Sequence, residues 1–359
     1  MSTKGIFAGA SISEYLTNVA KKGASDLHIN VGKPPVYRID DELVQGNSPV
    51  LTPDQTKDLL FHLLSPDQLK RLEKEKELDF AYCHEDKLRF RANVYYQSGY
   101  LSGAFRLIPN EIKTLEQLNL PQVLAKFPEH QQGFVLCVGP MGHGKSTTLA
   151  SLINMINKNR NDHIVTIEDP IEYVFTPEKC IIDQRELYRD TNSFPRALKS
   201  VLREDTDVVM VGEMRDLETM AAAVTLAETG HLVFSTLHTN DAPQAIDRII
   251  DAFPPHQQNQ IRMQIANTLL GVISQRLIPR IGGGRIAALE IMMSNAAVRN
   301  LIRENKVHQI KSVIQTSAEE DMISMDKSLA NLVASGDIQM EDALAFTTDQ
   351  RNFELLMKD

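Results

Sequence analysis

From residue 139 to residue 146 the chain reads Gly-Pro-Met-Gly-His-Gly-Lys-Ser, an instance of G-x-x-x-x-G-K-[ST]. An apolar run, Gly133 to Val138, precedes it, and from 144 to 157 apolar side chains recur at helical spacing. Strand, glycine-rich turn and helix in that order leave few folds open, because such a turn sits at the carboxyl end of a parallel strand. The glycines let the backbone curve tightly enough for successive N–H groups at a helix N-terminus to converge on negative oxygens. The expected phosphate-binding stretch is Gly139, Pro140, Met141, Gly142, His143, Gly144, Lys145, Ser146 and Thr147. In it Lys145 reaches the β- and γ-phosphates of ATP and Ser146 ligates Mg²⁺, while at Met141 and His143 the backbone does the binding.

Such a loop needs a carboxylate at the end of a second apolar strand to handle magnesium and the attacking water. Asp207-Val-Val-Met-Val-Gly212-Glu213 supplies one, and the position after the glycine brings Glu213 out at the carboxyl edge of a parallel sheet. Glu168, Asp169 and Glu172 follow the strand-like run His163–Ile167. Three acids this close repel one another unless a cation sits among them, although alone they also suit a solvated turn. His231 opens one apolar strand and His238 closes it, where its side chain can sense a γ-phosphate; taken singly, either histidine also suits an ordinary structural role.

The rest of the chain organises around this unit. At 359 residues there is room for two domains. Residues 12–22 read as a helix, 26–31 as a strand, 54–75 as a second helical stretch, and 78–84, 88–96 and 100–108 as strands, which makes residues 1–108 a small α+β domain. Pro109 and Asn110 break the pattern, and 109–128 reads as a connector. From 129 to 359 strands and helices alternate, then give way beyond 240 to a mainly helical pattern, so an α/β fold with a largely parallel sheet is expected. No apolar run is long enough to span a bilayer, and the start MSTKGIFAGASISEY lacks a secretory pattern, so a cytoplasmic location is expected. A net charge of −9 argues against nucleic acid as a partner. Cys83, Cys137 and Cys180 each stand alone in an apolar segment, as buried thiols do, and no zinc site is expected.

Four segments in order resemble the secretion and type IV pilus ATPase family: GPMGHGKSTTLA its Walker A motif, TIEDPIEYV its Asp box, LREDTDVVMVGEMRD its Walker B segment and ETGHLVFSTLHTNDA its His box. SDLHINVGKPPVYRID is similar to the opening of the family's PAS-like N-terminal domain. The resemblance implies a PAS-like domain followed by a RecA-like P-loop ATPase domain. It also implies that Glu213 is the catalytic glutamate, that Glu168, Asp169 and Glu172 are Asp-box acids with the first two near the metal, and that His231 and His238 are the His-box pair. Arg89, Arg91 and Arg106 match the region whose arginines reach the nucleotide in this family. Three scattered cysteines, where assembly motors carry a four-cysteine zinc module, and Ala297–Glu304, similar to the AIRNLIRE motif, point within the family to retraction motors. The implied assembly is a homo-hexameric ring at the cytoplasmic face of the inner membrane. There hydrolysis shifts the two domains about the connector and acts on a membrane platform protein and, through it, on pilin. Against the family's usual GPTGSGKS, Met141 and His143 are departures. A P-loop kinase, an accessory retraction protein and an assembly ATPase are the competing readings.

Overall fold

A computed structural model describes residues 11–39, 42–85, 88–108 and 111–358. The first ten residues, and Pro109 and Asn110 at the expected pattern break, lie outside the described residues. The chain divides into two compact units, residues 1–111 with 169–174, and residues 112–168 with 175–359.

In the first unit, Ser11 caps helix α1 (Ile12–Lys21), whose Ile12, Tyr15, Leu16 and Val19 line one buried stripe. The stretch 54–75, expected as one helical region, forms two helices, α2 (Pro53–Phe61) and α3 (Pro66–Glu75). Local chemistry separates them: Thr52 with Gln55 and Ser65 with Gln68 each close a capping box, each with proline at the first helical position. Strands β1 (Asp26–Ile29), β2 (Val36–Ile39), β3 (Glu42–Gln45), β4 (Glu77–His84), β5 (Leu88–Gln97) and β6 (Tyr100–Ile108) form one sheet in the order β3-β2-β1-β6-β5-β4, with every neighbouring pair antiparallel. Phe90, Ala92 and Val94 alternate inward from β5 and pack with Leu16, Leu27 and Phe105. The same alternation overturns one expectation: Cys83 is exposed, because it shares the outward parity of Glu77 and Asp79 on β4.

The second unit is built on β7 (Gly133–Val138), β8 (His163–Glu168), β9 (Ile181–Glu186), β10 (Val208–Val211), β11 (Leu232–Leu237), β12 (Leu269–Pro279) and β13 (Arg285–Met293). Their order is β13-β12-β7-β11-β10-β8-β9; all neighbours are parallel except β12 and β13. β7, β10 and β11 are buried at every position, as a sheet covered on both faces requires. Helices α4 (Lys145–Asn159), α5 (Phe194–Val201), α6 (Leu217–Glu228), α7 (Ala242–Asp251), α8 (Pro255–Thr268), α9 (Ala296–Arg303) and α10 (Ile310–Thr316) complete the αβ part. Helices α11 (Met325–Ala334), α12 (Met340–Phe346) and α13 (Gln350–Leu356) bury Leu329, Ala343 and Phe353 against Ile278, Ile286 and Ala288 of the β12–β13 hairpin. That hairpin departs from the mainly helical pattern expected beyond 240. An apolar run such as Leu269–Ile278 reads alike for a buried helix and a doubly covered strand, and its place beside β7 decides the matter. Residues 112–128, expected as a connector, pack in the second unit, where Leu115, Leu120, Leu124 and Phe127 are buried.

Candidate active site

Register alone gathers the site. Val138 at the end of β7 pairs with Leu237 on one side and Ser274 on the other, and Val211 at the end of β10 pairs with Ser235 and Ile167. The loop 139–144, Glu213, His238 and Glu168 thus all leave the sheet at the carboxyl ends of parallel strands, where ligands of open α/β sheets bind.

The loop curves as its glycines permit. Gly139, Gly142 and Gly144 have φ of 146°, 77° and 79°, and Gly144 is the left-handed N-cap of the 15-residue helix α4. A Cβ on Gly139 would lie 2.4 Å from Gln275 O, so glycine is required there by space as well as by conformation. Lys145 is buried, and its Nζ donates to Gly139 O and Pro140 O, both at 2.8 Å. These carbonyls hold the ammonium inside the loop, where phosphate oxygens can take their place. The same Nζ lies 3.5 Å from His238 Nδ1, and His238 Nε2 lies 3.6 Å from Glu213 Oε2.

His238 therefore stands between the lysine of the loop and the carboxylate opposite. Burial first, and then the charge of Lys145, push its pKa below the ordinary histidine value, against the upward pull of Glu213. A neutral ring suits this place, with Nδ1 facing the ammonium as acceptor and Nε2–H facing the carboxylate. Glu213 also pairs with the exposed Arg215 at 2.7 Å. Its backbone is steadied from β11: Thr236 Oγ1 donates to Gly212 O at 2.6 Å and Ser235 Oγ to Val211 O at 3.0 Å.

The other expected residues fall elsewhere. Glu168 ends β8 in the same unit and is buried, accepting from Thr166 Oγ1 at 2.7 Å and Gln184 Nε2 at 3.3 Å. Asp169 and Glu172 lie in the segment that packs with the first unit, where Arg91 Nη1 donates to Glu172 Oε1 at 3.2 Å. His231 is not brought to the loop. It precedes Leu232, which pairs with Gly133 at the opposite end of β7, and its Nδ1 lies 3.0 Å from Leu226 O at the end of α6. Parallel register thus separates the two histidines by the length of a six-residue strand, roughly 20 Å.

On the first unit's sheet, Arg106 pairs in register with Arg91 on one side and Asp26 on the other, and Asp26 pairs with Arg38. Arg89, two residues from Arg91, shares its face. Arg106 Nε donates to Asp26 Oδ1 at 2.9 Å. One face thus carries four arginines and a buried aspartate. Arg38 lies in the segment similar to the opening of the family's N-terminal domain but was not among the expected arginines; its place on this face comes from the pairing of β2 with β1.

A model of the type II/IV secretion system protein family matches residues 7–283. The chain belongs to this family. It is 45% identical over 342 residues to the type IV pilus retraction ATPase PilT of Pseudomonas aeruginosa, spanning 95% of this chain and 99% of that one. It is 39% identical to the type IV pilus ATPase PilU of the same organism, over 96% of this chain and 91% of the other. A crystal structure of the pilus retraction motor PilT with bound ADP superposes with a TM-score of 0.89 at 44% identity, covering 96% of this chain and 99% of that one. As in the family at large, the chain is an ATPase with a nucleotide site.

Among the described residues no cluster of three or more His, Cys, Asp or Glu side chains is arranged to hold a metal. Mg²⁺ does not need one: it keeps several waters and takes one or two protein ligands beside phosphate oxygens. The Ser146 hydroxyl at the start of α4, with Glu213 after β10 at the same edge of the sheet, fits that sparse demand.

Proposed function

We propose that this chain is an Mg·ATP-hydrolysing motor that powers type IV pilus retraction. The observation that carries the reading is the line from the loop's Lys145 through His238 to Glu213, in a chain that matches PilT along 95% of its length. ATP binds with its β- and γ-phosphates on the backbone N–H groups of 142–147, and Lys145 moves from the loop carbonyls to the phosphate oxygens. Glu213 orients the attacking water, and neutral His238 holds that carboxylate in relation to the γ-position. Ser146, with Glu168, Asp169 and Glu213, would hold Mg²⁺, which would supply charge neutralisation at the phosphate oxygens. Arg89, Arg91 and Arg106, which share one face of the first unit's sheet, are the arginines that the family resemblance assigns to a nucleotide.

The motor works as a homo-hexameric ring at the cytoplasmic face of the inner membrane, where a platform protein receives its motion and pilin is withdrawn. Imaging pili in a strain lacking the chain tests this: pili should extend and fail to withdraw. A strain without pili would point to assembly instead. The 39% identity to PilU supports a second reading, an accessory retraction ATPase. In that case the strain lacking the chain would still withdraw its pili against low load.

A further inference from the structure

Beyond the motif residues, the end of strand β12 touches both the phosphate loop and the segment just after His238. Its residues 274 to 277 alternate in direction, as strand geometry requires. On one side Ser274 Oγ donates to Asn240 O at 2.8 Å and Arg276 Nη2 to Asn240 Oδ1 at 2.9 Å, which grips the segment just after His238. On the other side Gln275 and Leu277 meet the phosphate loop.

The Gln275 side chain is buried, 2% exposed, and both ends of its carboxamide are used. Nε2 donates to His143 O at 2.8 Å, and Oε1 accepts from Thr148 Oγ1 at 2.7 Å, on the first turns of α4. The orientation is forced, since a carbonyl oxygen only accepts and so must face the amide N–H. Gln275 also sets the space the loop occupies: its backbone O lies where a Cβ on Gly139 would go, and its Nε2 lies 2.8 Å from where a Cβ on Gly144 would go. Two residues later, Leu277 N–H donates to His143 Nδ1 at 2.9 Å. The loop residue that departs from the family's usual serine is therefore tied to β12 through both its carbonyl and its ring.

We propose that Gln275 is a positioning residue of the nucleotide site: its carboxamide holds the loop's curve between His143 O and Thr148, so that the N–H groups of 142–147 and Lys145 face phosphate before ligand arrives. Gln275 does not itself touch the nucleotide. Its contribution is preorganisation, and this rests on the reading of the loop as an ATP site.

The test is equilibrium binding of fluorescent ADP to the full chain, with KM and kcat for ATP measured alongside. Gln275→Glu keeps the shape but sets an oxygen against the His143 carbonyl. At about pH 8.5, where a buried carboxyl is ionised, ADP affinity should fall roughly tenfold, about 1.4 kcal/mol. At about pH 6, where the introduced carboxyl regains a proton and can donate again, affinity should recover relative to the unaltered protein at the same pH. KM should rise more than kcat falls. Thr148→Val, which removes only the hydroxyl on the other side of the amide, should lower ADP affinity several-fold at both pH values, and it decides the matter if Gln275→Glu does not fold. Unaltered ADP affinity in these variants, with binding still abolished by Lys145→Ala, would overturn the positioning role and leave the ATP site standing. Failure of the unaltered chain to bind ADP would overturn both.

Discussion

Lys145 and Glu213 stand on either side of His238, and their separate duties make separable predictions. Lys145→Ala removes the cation that meets phosphate and should abolish ADP binding in a calorimetric titration, while the melting of the first unit stays unchanged. Glu213→Gln keeps size and hydrogen bonding but loses the charge that orients water. ADP should still bind, and phosphate release should fall by about 10²-fold or more, the range seen for a lost general base. Release at the unaltered rate would remove Glu213 from the catalytic position. A second carboxylate has no part in the chemistry but affects the stability of this region. Glu290 on β13 is buried and accepts from Ala242 N–H at the start of α7 at 3.0 Å. Burial pushes its pKa up to about 7; the Ala242 hydrogen bond and Lys311 oppose this, and Asp241 and Asp326 add to it. An acid whose pKa is raised on folding gives its full stability below the unfolded value of 4.5 and loses it as pH rises to about 7. Glu290→Gln should therefore melt higher than the unaltered protein at pH 8 by an amount equivalent to about 1 to 3 kcal/mol, with the gain vanishing toward pH 5.

At the scale of elements, what the sequence made legible and what it hid divide on physical grounds. The loop 139–146 was readable because one backbone shape demands glycines at fixed positions. The neighbouring strand ends were readable because doubly covered parallel strands are unbroken apolar runs. The β12–β13 hairpin was not, because periodicity cannot tell a buried strand from a buried helix, and Gln275 went unread with it. The outward parity of Cys83 needs strand register, which is not local information, whereas the separation of the two histidines was legible, since His231 opens the strand that His238 closes. Helix α9 shows the converse. Its periodicity places Val298 and Ile302 inward, and they are buried, while Arg299 donates to Ser294 and Arg303 to Asn267. A helix whose charged side makes such slight contacts can be altered without harm to the fold. Arg299→Ala with Arg303→Ala should leave ATP hydrolysis within about twofold, as surface changes of a few tenths of a kcal/mol do, yet reduce pilus withdrawal in cells. Parallel loss of hydrolysis would show that α9 serves the site and not a partner.

At the scale of the whole molecule the two units are not consecutive in the sequence. The chain leaves the first unit at 111, returns to it for residues 169–174 directly after β8, and leaves again. A boundary read along the chain therefore finds one crossing where the fold has three. The physical content of the return is specific: Ile171 is buried, and Glu172 accepts from Arg91 Nη1 on β5. Cutting at 111 would strip that segment of the residues it packs with. Residues 112–359 expressed alone should thus keep the β7-centred core but expose the Asp-box segment, and amide exchange over 169–174 should be faster than in the full chain while β7, β10 and β11 remain protected. Because Asp169 follows Glu168 at the end of a strand beside the catalytic one, loosening there reaches the acids proposed for the metal. The fragment should then bind ADP but respond to Mg²⁺ more weakly than the full chain does. Unchanged exchange over 169–174 would mean that the segment is held by its own second-unit neighbours, and that the first unit is dispensable for the shape of the Asp box.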